Sequence, residues 1–207
     1  MKKIFDKINK EKLFNILIIL IVILLYIFTA LFIYSNFRER KRNELTNNII
    51  KKVDDLIDNN KNTSSNNEEV TLKHEGMNFT VIGKIRIDKI NIYQPILKEN
   101  NKDAYNVSVV KMSGPSLNTA GNVVIGGHNF MRGNFFIKIN RLKKNDKIVI
   151  TDLSGNSVDY YVYEYNVTSP YDASYLSKPA NEDDKIITLV TCTKGGKERY
   201  YVKARAK

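Results

Sequence analysis

Residues 13–34 read LFNILIILIVILLYIFTALFIY, 22 positions without a charge, interrupted only by the polar residues Asn15 and Thr29. Wound as an α-helix, such a run is roughly 33 Å long, the thickness of a bilayer's hydrocarbon layer. A helix buried in a soluble core is shorter and keeps a polar stripe, so the pattern predicts a transmembrane segment. Ala30 is followed by Leu31, Phe32, Ile33 and Tyr34 and not by a small-residue cleavage site, so an uncleaved signal anchor is expected. From 35 to 58 apolar positions such as Phe37, Leu45, Ile49, Val53 and Leu56 return at helical spacing between charges, which reads as a juxtamembrane helix or stalk. Residues 59–76 read as a polar linker, because NNKNTSSNNEE from Asn59 to Glu69 offers nothing apolar to bury. The folded domain is therefore expected at 77–207, and residues 1–58 are not needed to complete it.

From Phe79 onward the period changes to two. Seven runs, FTVIGKIRI, INIYQPI, NVVIGG, DKIVITDL, SVDYYVYEYNV, KIITLVTC and RYYVKARA, alternate or are apolar throughout, as half-buried and buried strands do. Turn-forming residues separate them, among them Ser113-Gly114-Pro115, Lys144-Asn145-Asp146 and Gly195-Gly196. Helical signals are confined to short pieces near Asn101–Val107 and Asn134–Leu142. The fold class is mainly all-β, a single closed or sandwiched domain.

Charge and composition narrow the function classes. The 207 residues carry 33 Lys plus Arg against 22 Asp plus Glu, a formal charge of +11. Lys dominates the basic residues and no basic-aromatic motif appears, so a solvated lysine-rich surface fits better than a nucleic-acid site. Bases flank the apolar run on both sides, and charge alone does not orient it in a membrane. The single cysteine, Cys192, excludes an intramolecular disulfide and any multi-cysteine metal site.

Cys192 ends the apolar run ITLVTC just before the turn TKGGKE. If Gly195-Gly196 are the central residues of a two-residue hairpin, paired residues have indices summing to 391, and Cys192 then faces Arg199 on one side of the sheet. Taken singly, Cys192 reads as a small buried hydrophobe and Arg199 as a solvated strand residue. Together they place a cation beside a strand-end thiol, which is the setting that activates one. Of the two histidines, His74 lies on the linker side, whereas His128 follows NVVI and Gly126-Gly127 at the end of a strand, where the backbone is expected to turn sharply. One thiol, one imidazole and one guanidinium suffice for nucleophilic acyl transfer.

GNVVIGGHN, ITLVTC and the downstream Arg199 resemble the His, TLxTC and Arg signatures of sortases, the cysteine transpeptidases that sort proteins to the surface of Gram-positive bacteria. The likeness runs over roughly residues 79–207. It implies an eight-stranded closed β-barrel outside the cell, with residues 1–12 cytoplasmic. It also implies His128 as general acid/base, Cys192 as nucleophile and Arg199 as the group that steadies substrate or oxyanion, with Thr191 and Asn129 as substrate-binding neighbours. The implied substrates are an LPxTG-like sorting signal and an amine of a cell-wall precursor or pilin, with no cofactor. Some relatives bind calcium, but Asp172, Glu182, Asp183 and Asp184 read as solvated charge. No Asp-Pro-aromatic lid precedes Pro95, and only 18 residues separate Val167 from Ile186, so a class A-like or class D-like member is expected. Two alternatives stay open: a tethered cysteine peptidase that only hydrolyses, and an idle barrel that binds anionic wall polymers.

Overall fold

The computed structural model describes residues 10–62, 70–74, 76–129, 135–177, 179 and 181–207. In it the period-two runs become strands because alternate side chains find a common core. Along β2 (Met77–Ile87), Phe79, Val81, Gly83, Ile85 and Ile87 are buried and the residues between them are more open. The seven expected runs are β2, β3 (Ile92–Leu97), β5 (Gly121–Gly126), β6 (Lys147–Asp152), β7 (Ser157–Thr168), β8 (Lys185–Thr193) and β9 (Glu198–Ala206). Two further strands, β1 (Val70–His74) and β4 (Val109–Ser113), were not among them.

The strand order is β1-β2-β3-β4-β5-β8-β9-β7-β6, with β6 pairing back onto β2. Strands β2 to β9 thus form the eight-stranded closed barrel. Val81 pairs with both Val70 and Leu97, so β1 and β3 take opposite edges of β2. Farther along, Gly83↔Asp152 to Arg86↔Val149 close the barrel with β6. A parallel pair needs a crossover connection, and the short helix α2 (Lys102–Val107) supplies one between the parallel strands β3 and β4. Asn101 starts that helix by accepting the Ala104 N–H at 2.9 Å. The second expected helical piece is only a 3-10 turn, Ile139–Arg141, among the described residues. Inside the barrel, Ile85, Ile125, Phe136, Ile150, Leu189 and Val202 belong to one continuous apolar cluster.

The long helix α1 (Lys10–Asn62) belongs to two compact units, residues 1–41 and 42–207. In the first, residues Lys12–Arg38 form a helix long and apolar enough to cross a membrane, with mean hydropathy 3.3 and none of that apolar window buried. In the second, Ile50, Val53 and Ile57 are buried at helical spacing. Val53 and Ile57 pack in a cluster with Val70 and Leu72 of β1, Phe79 and Val81 of β2, and Ala104 and Val107 of α2. Asp54 pairs with Lys84 and accepts the Tyr93 hydroxyl at 3.0 Å.

Two expected boundaries therefore move. The stretch 35–58 is more than a stalk, since its later part supplies core residues to the domain, because its apolar stripe meets an apolar face of β1 and β2. The linker expected at 59–76 is shorter: residues 59–62 continue α1, 70–74 form β1, and 63–69 lie outside the described residues. The expectation that residues 1–58 are dispensable is corrected by the burial of Val53 and Ile57. A chain starting at residue 42 should keep the stability of the domain, and one starting at 59 should not. Ile57→Ala should cost about 2 to 5 kcal/mol, read as a fall in Tm of about 2–4 °C per kcal/mol. Equal melting of the two truncations would reject α1 as part of the core.

Candidate active site

Strands β5 and β8 run parallel in unbroken register from Gly121↔Lys185 to Gly126↔Val190. The Gly127 N–H donates to the Val190 carbonyl at 3.0 Å and carries the ladder one step further. His128 and Cys192 each stand two residues beyond the pair Gly126↔Val190, so they emerge side by side at one end of the barrel. On the other side of β8, Cys192 pairs with Arg199 of β9. His128, Cys192 and Arg199 thus sit on three adjacent strand positions.

Alternation decides which way they face. Val123, Ile125, Ile187, Leu189, Val202 and Ala204 point into the barrel core. The intervening residues Val124, Val190 and Tyr201 form a separate cluster with Tyr175 on the outer face, where Met112 packs against it. Cys192 continues the outer row and is partly exposed.

The hairpin has the expected register and a different turn. Every pair in the β8–β9 ladder sums to 391, but the loop is four residues, Lys194 to Lys197, between the last pair Thr193↔Glu198. Lys194, Gly195 and Gly196 all have positive φ (47°, 67° and 92°), which the two glycines adopt without cost. Arg199 Nη1 donates to the Gly196 carbonyl at 2.9 Å and to the Glu198 carbonyl at 3.2 Å, so the guanidinium lies on its own hairpin.

Gly126-Gly127 do not make the turn expected of them: Gly126 is still in β5, and the Gly127 N–H carries the ladder on to the Val190 carbonyl. They make room. A Cβ on Gly126 would stand 2.7 Å from the Tyr105 hydroxyl and from the Met112 sulfur, and one on Gly127 would stand 2.8 Å from the Phe136 ring. The chain after His128 returns so that the Phe136 N–H donates to the His128 carbonyl at 3.1 Å.

Thr191 and Asn129, expected to touch substrate, act as braces between the two key segments. Thr191 is buried and its hydroxyl donates to the Gly127 carbonyl at 2.7 Å. Its side chain is turned inward by the same alternation that turns Cys192 outward. Asn129 is exposed, and its Nδ2 donates to the Cys192 carbonyl at 2.9 Å.

The sequence reading missed Tyr105 of α2. Its ring lies 5.4 Å from the His128 ring, tilted by 42°. Burial, then the nearby Cys192 and Tyr175, push its hydroxyl pKa up to about 12 against a smaller opposite pull from Arg199. Also missed was a buried polar anchor under the β7–β8 connection. The Asn122 Nδ2 donates to the Tyr175 and Ser177 carbonyls, each at 3.0 Å, and the Thr188 hydroxyl donates to the Asn122 Oδ1 at 2.8 Å. Of the acidic residues nearby, Asp172 accepts the Ser174 N–H at 2.8 Å and Asp184 pairs with Arg205 at 3.3 Å.

Residues 85–207 match the Sortase domain family. Sortase A of Listeria monocytogenes is 30% identical over 117 residues, which is 55% of this chain and 50% of that protein, so the match spans about half the length of this curated relative. Among solved structures, a Clostridium perfringens Sortase D5 transpeptidase aligns with a TM-score of 0.62 and 26% identity over 79% of this chain and 99% of that one. Sortase A from Corynebacterium diphtheriae aligns with a TM-score of 0.56 and 28% identity over 61% of this chain and 60% of that one.

Half-burial holds the His128 imidazole pKa below its ordinary 6.5. Well above pH 6.5 both folded and unfolded chains carry a neutral ring, so stability is unaffected by it. Below that value the unfolded chain binds the proton first, and stability falls with pH until the folded ring is protonated too. The Tm of the chain should therefore drop more between pH 7.5 and 5 than that of His128→Asn. Parallel pH–Tm curves for the two would show that the ring is not desolvated.

Proposed function

This chain belongs to the sortase family, and we propose that it is a membrane-anchored cysteine transpeptidase in which Cys192 is the nucleophile, His128 the general acid/base and Arg199 the oxyanion or substrate clamp. The single observation that carries this reading is the register that brings the three residues to neighbouring strand ends on the outer face. The helix at Lys12–Arg38 supports the anchor, and the proposal orients it with the N-terminus cytoplasmic and the barrel outside, as the family likeness implies. The β7–β8 connection carries only the 3-10 turn Ser174–Leu176 among its described residues, in keeping with a class A-like or class D-like member.

The chemistry runs in two halves. The Cys192 thiolate attacks the Thr carbonyl carbon of an LPxTG-like sorting signal, and the carbonyl oxygen takes the negative charge. Arg199 uses Nη1 on its hairpin, and its Nε and Nη2 are the donors offered to that oxygen or to the peptide. As the C–N bond breaks, the His128 imidazolium gives its proton to the leaving amine, and a thioester remains on Cys192. An amine of a cell-wall precursor or pilin then loses a proton to the neutral imidazole and attacks the thioester, which frees the thiolate. An ordinary imidazole is only about a quarter protonated at pH 7, and the lowered pKa of His128 thins that population further. The braces from Thr191 and Asn129 keep the two reacting side chains in place between turnovers.

Cys192→Ala should abolish cleavage of a sorting-signal peptide and leave the fold intact, while His128→Ala should lose about 10² to 10⁴ in turnover. Arg199→Lys keeps the charge but lacks the planar fork, and should lose most activity. Mass spectrometry of the wild type with peptide should find the acyl-enzyme on Cys192, and an added amine should divert it from hydrolysis to transfer. Water as the only acceptor used would leave a hydrolase, and unimpaired cleavage by Cys192→Ala would end the reading altogether.

A further inference from the structure

Tyr105 is a large side chain at the His128 edge of the site to which the mechanism gives no task. It lies next to the buried Ala104 on α2. That helix is fixed at both ends, by the Asn101 cap and by the Ser108 hydroxyl, which donates to the Pro95 carbonyl at 2.6 Å. A fixed helix gives the ring a fixed position. The centroid distance of 5.4 Å to His128 is within contact range for an aromatic pair. The phenol end reaches over Gly126, where the absence of a Cβ leaves room for it. Tyr105 therefore brings an aromatic ring from α2 against the imidazole, and Cys192 and Arg199 act on the same phenol from β8 and β9.

We infer that Tyr105 is a positioning residue for His128: its ring, held by α2, fixes the orientation of the imidazole beside Cys192 and shields it from water. The link to turnover rests on the transpeptidase reading; the effect on the imidazole does not. The role is assigned to the ring, because the ring is what stands 5.4 Å from the imidazole, and a phenol protonated at neutral pH adds no charge beside it. Among the described residues, Tyr105 from α2 lies against the imidazole, and the titratable or charged groups that act on Tyr105 are Cys192 from β8, Tyr175 and Arg199 from β9. Substitution at 105 leaves the other three in place. Loss of the ring rehydrates the imidazole, so its pKa rises toward 6.5, and frees it to turn, so fewer substrate complexes are in a reactive geometry.

The test uses the full chain in lipid nanodiscs with its two histidines ¹³C-labelled, and His74→Asn to assign the His128 signal. Tyr105→Phe should keep the wild-type titration midpoint and kcat. In Tyr105→Ala the midpoint should move up toward 6.5, and with a sorting-signal peptide and an amine acceptor kcat should fall about tenfold or more while KM changes little. Tyr105→Leu, which keeps apolar bulk on α2 and so protects folding, should show the same two changes in smaller measure. An alanine or leucine variant with wild-type midpoint and kcat overturns the inference. So does a loss confined to KM, which would make the ring a wall of the peptide groove, or a Phe variant as damaged as Ala, which would put the role in the hydroxyl. A wild type that turns over no sorting peptide ends the transpeptidase reading, and the titration still decides whether Tyr105 governs His128.

Discussion

The parallel ladder between β5 and β8 is the constraint on which the site depends. Parallel neighbours advance in the same direction, so residues equally far past a common pair leave the sheet together. Gly126↔Val190 is such a pair, and it delivers His128 and Cys192 to the same rim without any contact between their side chains being required. The antiparallel β8–β9 ladder then returns Arg199 to the same rim from the opposite direction. A slip of one residue in either ladder would turn one member of the set to the other face of the sheet.

Alternation along β8 divides labour between neighbouring residues. Ile187, Leu189 and Thr191 face inward; Thr188, Val190 and Cys192 face outward. The inward row fills the barrel and ends in a hydroxyl that ties β8 to Gly127. The outward row begins in the buried Asn122–Thr188 contact that anchors the β7–β8 connection, and ends in the thiol. Both faces carry structural contacts, and the partly exposed thiol ends the outward row beyond them, so a thiol substitution at the rim disturbs little of the core.

Local pattern made most of the barrel legible. Seven of its eight strands had period-two or continuously apolar sequences, and the hairpin register followed from the Gly pair alone, although Lys194 joined the turn in a left-handed conformation that favours glycine. β4 was hidden because VVKMS carries only two consecutive apolar residues before a lysine, and β1 because VTLKH sits beside a polar tract. The packing of Val53 and Ile57 was not legible, since a helical stripe does not announce which surface it will cover. Gly126-Gly127 were misread because glycine serves both a turn and a close approach, and the neighbour that required the space, Tyr105, arrives from 21 residues upstream. Periodicity encodes the face of an element; contacts across elements are settled only when the chain closes.

The environment of His128 sets two demands against each other. An imidazole that must donate a proton at neutral pH is better populated in its acid form when its pKa is high, yet burial lowers that pKa. Each unit of lowering costs up to tenfold in the protonated population. The stronger acid transfers its proton more readily, but Brønsted behaviour returns only part of that loss. Covering the ring is therefore unfavourable for proton supply taken alone. It becomes favourable when the fixed orientation gains more than the population loses, and restricting a reacting group to one geometry can contribute orders of magnitude. On the inference drawn above, the Tyr105 ring, 5.4 Å from the imidazole, is the contact that supplies this fixed orientation.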